Sequence, residues 1–172
     1  MTSRGVLYFV VCAAPAAYDA ETFVKLAQDA GWRVCVIATP MGLRFIDAAR
    51  LADLTGQPVR SRFRMPDEPN ELPGADAVVV APATFNTINK WAAGFADTFA
   101  VGLLCELLGF GVPIVAAPLL KDALARHPAF ARNVQTLRGA GVRVLFDPAA
   151  PPSARMPRWE RILTELDSIL DG

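Results

Sequence analysis

Histidine is nearly missing from this 172-residue chain: His127, followed by Pro128, is the sole example. A Ser-His-Asp or Cys-His device would have to be built on it, yet no nucleophile elbow or paired cysteine motif accompanies it. It reads as a surface residue at the start of a helix. Cysteine is sparse as well. Cys12, Cys35 and Cys105 are odd in number, lie far apart and lack CxxC spacing. They read as buried thiols of a reducing compartment, not as bridges or metal ligands. No carboxylate pair stands at metal-ligand or glycosidase spacing, so no metal is expected. A charge excess is lacking too: 17 basic and 17 acidic residues cancel, and no basic tract occurs. That argues against nucleic acid as a partner. Apolar runs are broken by Gly, Pro or charge well before the ~20 residues a membrane span needs. Residues 1–5 show no secretory cleavage pattern, and the expected address is the cytoplasm.

Glycine is missing at one informative place. After the first apolar run, residues 12–17 read Cys-Ala-Ala-Pro-Ala-Ala. A dinucleotide site needs G-x-G-x-x-G there, so that bare backbone can approach a pyrophosphate. A plain NAD or ATP module is therefore disfavoured. A mononucleotide phosphate can still use small residues and the amides of the following helix. A tight strand-to-helix turn with no ligand is the competing reading.

What the chain does have is apolar bulk: 53% of residues are hydrophobic and 20% charged. One domain spanning residues 1–172 is expected, with part of the apolar excess covering subunit interfaces. Strand patterns at 6–12, 33–38, 59–62, 77–81, 113–117 and 143–146 alternate with helical patterns. The helices are expected at 16–30, 43–54, 87–108, 119–126, 128–138 and, as a closing amphipathic helix, 158–170. Residues 63–74 and 148–157 are proline-rich connections. Alternation of this kind with right-handed crossovers gives an α/β, doubly wound parallel sheet of about six strands with helices on both faces.

The stretch at 75–108 organises the rest. Its apolar run 77–81 reads as a central strand, and the turn Pro82-Ala83-Thr84-Phe85-Asn86-Thr87 opens a helix. Open α/β sheets place ligands at the carboxyl ends of such strands. One of Thr84 and Asn86 suffices to cap the helix, which leaves the remaining polar groups for a ligand. Thr39, ending the second strand, either caps its own turn or joins the same pocket. With one continuous helix over 87–108, Asn86, Lys90, Ala93 and Asp97 share a face. Gly94 then thins its middle for close packing against another helix or subunit.

The turn, together with Lys90, Gly94 and Ala96-Asp97, resembles the P-A-S/T-A-N-T signature of the homo-oligomeric flavin-containing cysteine decarboxylases. That family includes phosphopantothenoylcysteine decarboxylase and the peptidyl-cysteine decarboxylases of lantibiotic biosynthesis. Ala16-Ala17-Tyr18 matches the start of its first helix. Thr39, Phe45 and Ile46 match its T-x-x-A-x-x-F-I segment, with Gly42 in place of alanine. Pro118, Pro128, Asn133, Leu137 and Gly141 match the framework of its P-x-M-N-x-x-M-W region and the following helix. The resemblance implies a Rossmann-like, three-layer subunit, homotrimers or dodecamers of trimers, and FMN near subunit interfaces. It implies flavin contacts at Pro82, Ala83, Thr84, Asn86 and Thr87, with Ala13, Ala14 and Thr39 near the phosphate and Phe45 beside them. It also implies oxidation of a cysteinyl side chain to a thioaldehyde, followed by loss of carbon dioxide. The catalytic region departs from the family. The segment that carries a histidine there reads Pro69-Asn70-Glu71-Leu72 here. Leu120, Lys121 and Leu124-Ala125 stand where the second motif has methionine, asparagine and Met-Trp. The substrate-clamp cysteine is absent, and Ala13-Ala14 replaces glycine-serine. Lys121, as a point charge for a carboxylate, and Glu71, as a displaced base, are the catalytic candidates. The expected function is an FMN-binding flavoprotein, a lyase- or oxidoreductase-like enzyme acting on a carboxylated small molecule or peptide other than the family's usual cysteinyl substrate. A non-catalytic, subunit-type relative is the alternative.

Overall fold

Short runs made almost wholly of apolar residues form strands buried on both faces. In the computed structural model, which describes residues 3–151 and 154–172, they form five strands: β1 (Gly5–Val11), β2 (Trp32–Ala38), β3 (Ala77–Ala83), β4 (Ile114–Pro118) and β5 (Arg143–Val144). All pair in parallel in the order β2-β1-β3-β4-β5. Residues 1–2 of the N-terminal stretch and 152–153 of the proline-rich connection lie outside the described residues.

Among the described residues, seven α-helices accompany the sheet: α1 (Ala20–Asp29), α2 (Ala48–Thr55), α3 (Phe85–Ala92), α4 (Phe99–Gly109), α5 (Asp122–Ala125), α6 (Pro128–Gly139) and α7 (Trp159–Leu170). The period-2 pleat sorts the strand side chains between two cores. Leu7, Phe9, Val11, Val79 and Val115 meet Phe23 of α1, Leu51 of α2 and Ile162 of α7 on one face. Tyr8, Val10, Val78, Val80 and Ala116 meet Ile88 of α3, Leu104 of α4 and Phe130 of α6 on the other. Three layers result. The closing helix is pinned by Trp159, whose ring lies edge-on to Phe9 with centroids 6.0 Å apart and whose Nε1 donates to Asp19 Oδ2 at 2.8 Å.

Three expectations change. The strand pattern at 59–62 gives one parallel bridge, Ile37 to Arg60, so the sheet has five strands and a bridge. Pro58 has no N–H to extend that ladder toward its start. The 16–30 and 43–54 helices each begin as a 3-10 turn, Pro15–Asp19 and Gly42–Phe45, before α1 and α2. The helix expected over 87–108 is two. Gly94 takes φ +77° two residues after α3 ends, a left-handed conformation that suits glycine. Thr98 then caps α4 by accepting from Val101 N at 3.4 Å. Gly94 thus marks a chain reversal, not a thin helix face.

Candidate functional site at the carboxyl ends of the strands

Every parallel strand points the same way, so the loops that follow β1, β2, β3 and β4 leave from one edge of the sheet. Backbone hydrogen bonds continue past the strands and hold their mouths together. Thr39 N donates to Val11 O at 3.0 Å, Cys12 N to Pro82 O at 3.1 Å, and Leu119 N to Ala83 O at 2.9 Å. From β1 the chain crosses to β2 through α1 on one face. From β3 it crosses to β4 through α3 and α4 on the opposite face. The β1–β3 pair is therefore the topological switch point, where open sheets leave a crevice.

A cleft of about 390 Å³ lies there. Five residues expected from the sequence line it together: Ala13, Thr39, Thr84, Asn86 and Thr87. Four expected residues stay outside its lining. Pro82, in a cis peptide with Ala81, and Ala83 are buried within β3. Ala14 is buried under the first 3-10 turn, and Phe45 stacks on Tyr18 with centroids 5.2 Å apart. Sequence reading missed Pro40, Met41, Thr98 and Val101 and gave Lys90 no site role; all line the cleft. The available signal was Thr98, three residues before the amide it caps.

The lining surface is mostly apolar and nearly uncharged, with a few polar groups set into it. Thr84 Oγ1 caps α3 by accepting from Thr87 N at 3.3 Å, and its hydroxyl lies 3.2 Å from that of Thr87. Cys12 Sγ donates to Thr87 Oγ1 at 3.4 Å. Burial pushes the Cys12 thiol above its ordinary pKa, against the opposing bonds from Thr87 and Thr84, so it stays a neutral donor. Thr39 Oγ1 accepts from Gly42 N at 2.9 Å, which folds the β2 loop back onto β1. The Lys90 ammonium pairs with the Asp97 carboxylate across the Gly94 reversal, and holds that carboxyl below its usual range. Caps of two helices, Thr84 of α3 and Thr98 of α4, face the cleft, with the free amides and positive dipole ends that such termini carry.

The catalytic candidates sit elsewhere. Lys121 is exposed at the N-cap of α5. Glu71 is exposed in the 63–74 connection and lines a separate cleft of about 420 Å³ with Arg60, Arg62 and Glu68. His127 caps α6, its Nδ1 accepting from Ala129 N at 3.1 Å. Among the described residues, no group of three or more His, Cys, Asp or Glu side chains is placed to hold a metal ion, and no helix is long and apolar enough to cross a membrane.

Fold and cleft together define a doubly wound α/β protein with a crevice at its switch point. Comparison with known proteins narrows this class. The family model described as Flavoprotein matches residues 2–171, and the chain belongs to that family. It is 38% identical over 167 residues to the coenzyme A biosynthesis bifunctional protein CoaBC of Mycobacterium tuberculosis, covering 91% of this chain and 39% of that protein. The chain thus spans about two fifths of the length of the curated relatives it matches first. Among solved structures, it is similar to the FMN-dependent cysteine decarboxylase SpaF, at 26% identity and a TM-score of 0.69 over 83% of this chain and 84% of that one. A PPC decarboxylase mutant complexed with pantothenoylaminoethenethiol shares the fold at 19% identity, with a TM-score of 0.78 over 99% of this chain and 100% of that one.

Proposed function

We propose that this chain binds FMN in the switch-point cleft and acts as a flavin-dependent enzyme on a carboxylated small molecule or peptide. The observation that carries the reading is the meeting of Ala13, Thr39, Thr84, Asn86 and Thr87, from three different loops, in one cleft. The donor set suits the group. Threonine hydroxyls, the exposed Asn86 amide and helix N-termini match a phosphate and a polyol chain, while Met41 and Val101 offer apolar surface to a ring. When bound, FMN would supply a two-electron acceptor. The protein's own contribution is positional. Thr84 fixes the first turn of α3, the Cys12 thiol orients Thr87, and Gly42 N orients the Thr39 hydroxyl.

Decarboxylation of a cysteinyl substrate, as the names of relatives indicate for them, is the leading reaction. The positions of the family's histidine and asparagine are taken by the Pro69–Leu72 segment and by Lys121. Lys121 and Glu71 are the groups offered for carboxylate binding and proton transfer. Neither lines the cleft within one subunit, and this favours a second reading: a non-catalytic FMN-binding or subunit-type relative. Assembly into homotrimers, or dodecamers of trimers, would bring further side chains to the cleft. Exposed Phe63 and Phe110 beside an 870 Å³ groove lined by Phe99, Gly102 and Leu103 support such contacts. A cytoplasmic location goes with this function. The test is direct. Purified protein should carry flavin absorbance and an FMN mass, or take up added FMN; colourless protein that binds none would sink the proposal. Carbon dioxide release from a C-terminal cysteinyl peptide or from phosphopantothenoylcysteine would decide for the enzyme against the non-catalytic reading.

A further inference from the structure

Lys90 is the one charged side chain lining the switch-point cleft, among the described residues. Two features bear on what it does there. Its partner Asp97 is not part of the lining and is roughly half exposed, at 47%, while Lys90 is 29% exposed. The ammonium therefore stands between a solvent-screened carboxylate and the cleft. An ammonium has three donors, and one carboxylate contact leaves others for a ligand. Thr98, the cap of α4, lines the cleft with Lys90, and α4 is 11 residues long. The dipole end of that helix adds to the same field, and the α3 terminus at Thr84 adds from the other wall.

We infer that Lys90, held by Asp97 beside the α4 N-terminus, is the residue that reads the phosphoryl group of the mononucleotide and so makes the cleft prefer FMN to riboflavin. This rests on the proposed function of the cleft and adds to it the group that recognises the ligand's charge. The uncharged hydroxyls of Thr39, Thr84 and Thr87 cannot neutralise a dianion. Prior pairing with Asp97 spares much of the rotamer entropy that a free lysine loses on binding.

The experiment titrates the flavin-free full chain with FMN and with riboflavin, following quenching of flavin fluorescence. Wild type, Lys90→Gln and Lys90→Arg are compared. The wild type should bind FMN more tightly than riboflavin, and that preference should fall with added salt. Lys90→Gln should lose FMN affinity by roughly 10- to 100-fold, the scale of a charge-assisted hydrogen bond. Its riboflavin affinity should stay within about twofold and so report an intact fold. Lys90→Arg should recover part of the FMN preference. An FMN-to-riboflavin ratio unchanged in Lys90→Gln would overturn the inference while leaving the cleft a flavin site, as would equal weakening of both ligands. Wild type that binds neither flavin would remove the proposed function itself.

Discussion

Alanine at position 42 tests how tightly the β2 loop is locked to β1. Gly42 does not have a positive φ, so its backbone alone would accept a side chain. Its surroundings would not. A Cβ there would lie 2.5 Å from Val11 O, 2.8 Å from Thr39 Oγ1 and 3.2 Å from the Cys12 carbonyl carbon. The first is roughly 1 Å inside the ~3.5 Å at which nonbonded heavy atoms rest. Two of the three atoms are backbone of β1 and its exit, and Val11 O already accepts from Thr39 N. The loop must therefore lift, which breaks the bond from Gly42 N to Thr39 Oγ1. Overpacking costs about 1–3 kcal/mol and the lost bond about 1 kcal/mol. Reduced freedom of the unfolded chain returns about 0.4–1 kcal/mol. The net loss is about 1–3.5 kcal/mol, or a fall in Tm of roughly 2–14 °C for a chain of this size. Thermal unfolding of Gly42→Ala followed by circular dichroism measures it. Gly139→Ala is the control, since that site ends α6 with nothing within 4 Å of an added Cβ. Thr39 moves with the loop, so FMN affinity should fall as well. A Gly42→Ala protein with wild-type Tm and wild-type FMN affinity would refute the argument.

Two further perturbations probe the scaffold. Leu104, fully buried between α4 and the sheet, should cost about 2–5 kcal/mol on truncation to alanine, read from urea unfolding. Tyr8 donates its hydroxyl to the Pro73 carbonyl, and burial, with help from Cys35 and Glu106, pushes its pKa up to about 12. Folded protein then keeps a proton that the unfolded chain sheds near pH 10, so this stabilisation is whole below about pH 10 and fades as pH climbs toward 12. The loss is about 2–3 kcal/mol, and Tyr8→Phe should abolish that part of the alkaline slope. Parallel stability profiles for the two proteins would overturn it.

Strand runs such as Val78–Val80 were legible because a strand covered on both faces has no polar position to confuse its period. The helix over 87–108 was misread for a related reason. Small and apolar residues run on through 92–96 and resume at 99, so periodicity does not register a break that one left-handed glycine and one capping threonine make. At the cleft, the turn after β3 announced itself through the local cluster Thr84, Asn86 and Thr87. Lys90 stood in the sequence only as one residue of the helical face shared with Asn86 and Asp97. Its role depends on α4 returning Thr98 to the same place, which is a tertiary fact. Phe45 and Pro82 matched a family segment, yet matching a segment does not decide which atoms reach the cleft. Lys121 and Glu71 were chosen by their positions in altered motifs, and position in a motif carries no distance.

The stitching of the strand exits also governs what any bound ligand would feel. The cleft is assembled from the ends of β1, β2 and β3 and from two helix starts, so no short contiguous segment of the chain contains it. Local fraying that frees one loop would dismantle it, and only pairing of the central strands rebuilds it. Occupancy would therefore be coupled to the cooperative unfolding of the whole sheet, with no separate melting of a binding subregion. Each tenfold rise of free ligand above its Kd would raise global stability by about 1.4 kcal/mol, and amides deep in β1 and β3 would slow their hydrogen exchange by the same factor.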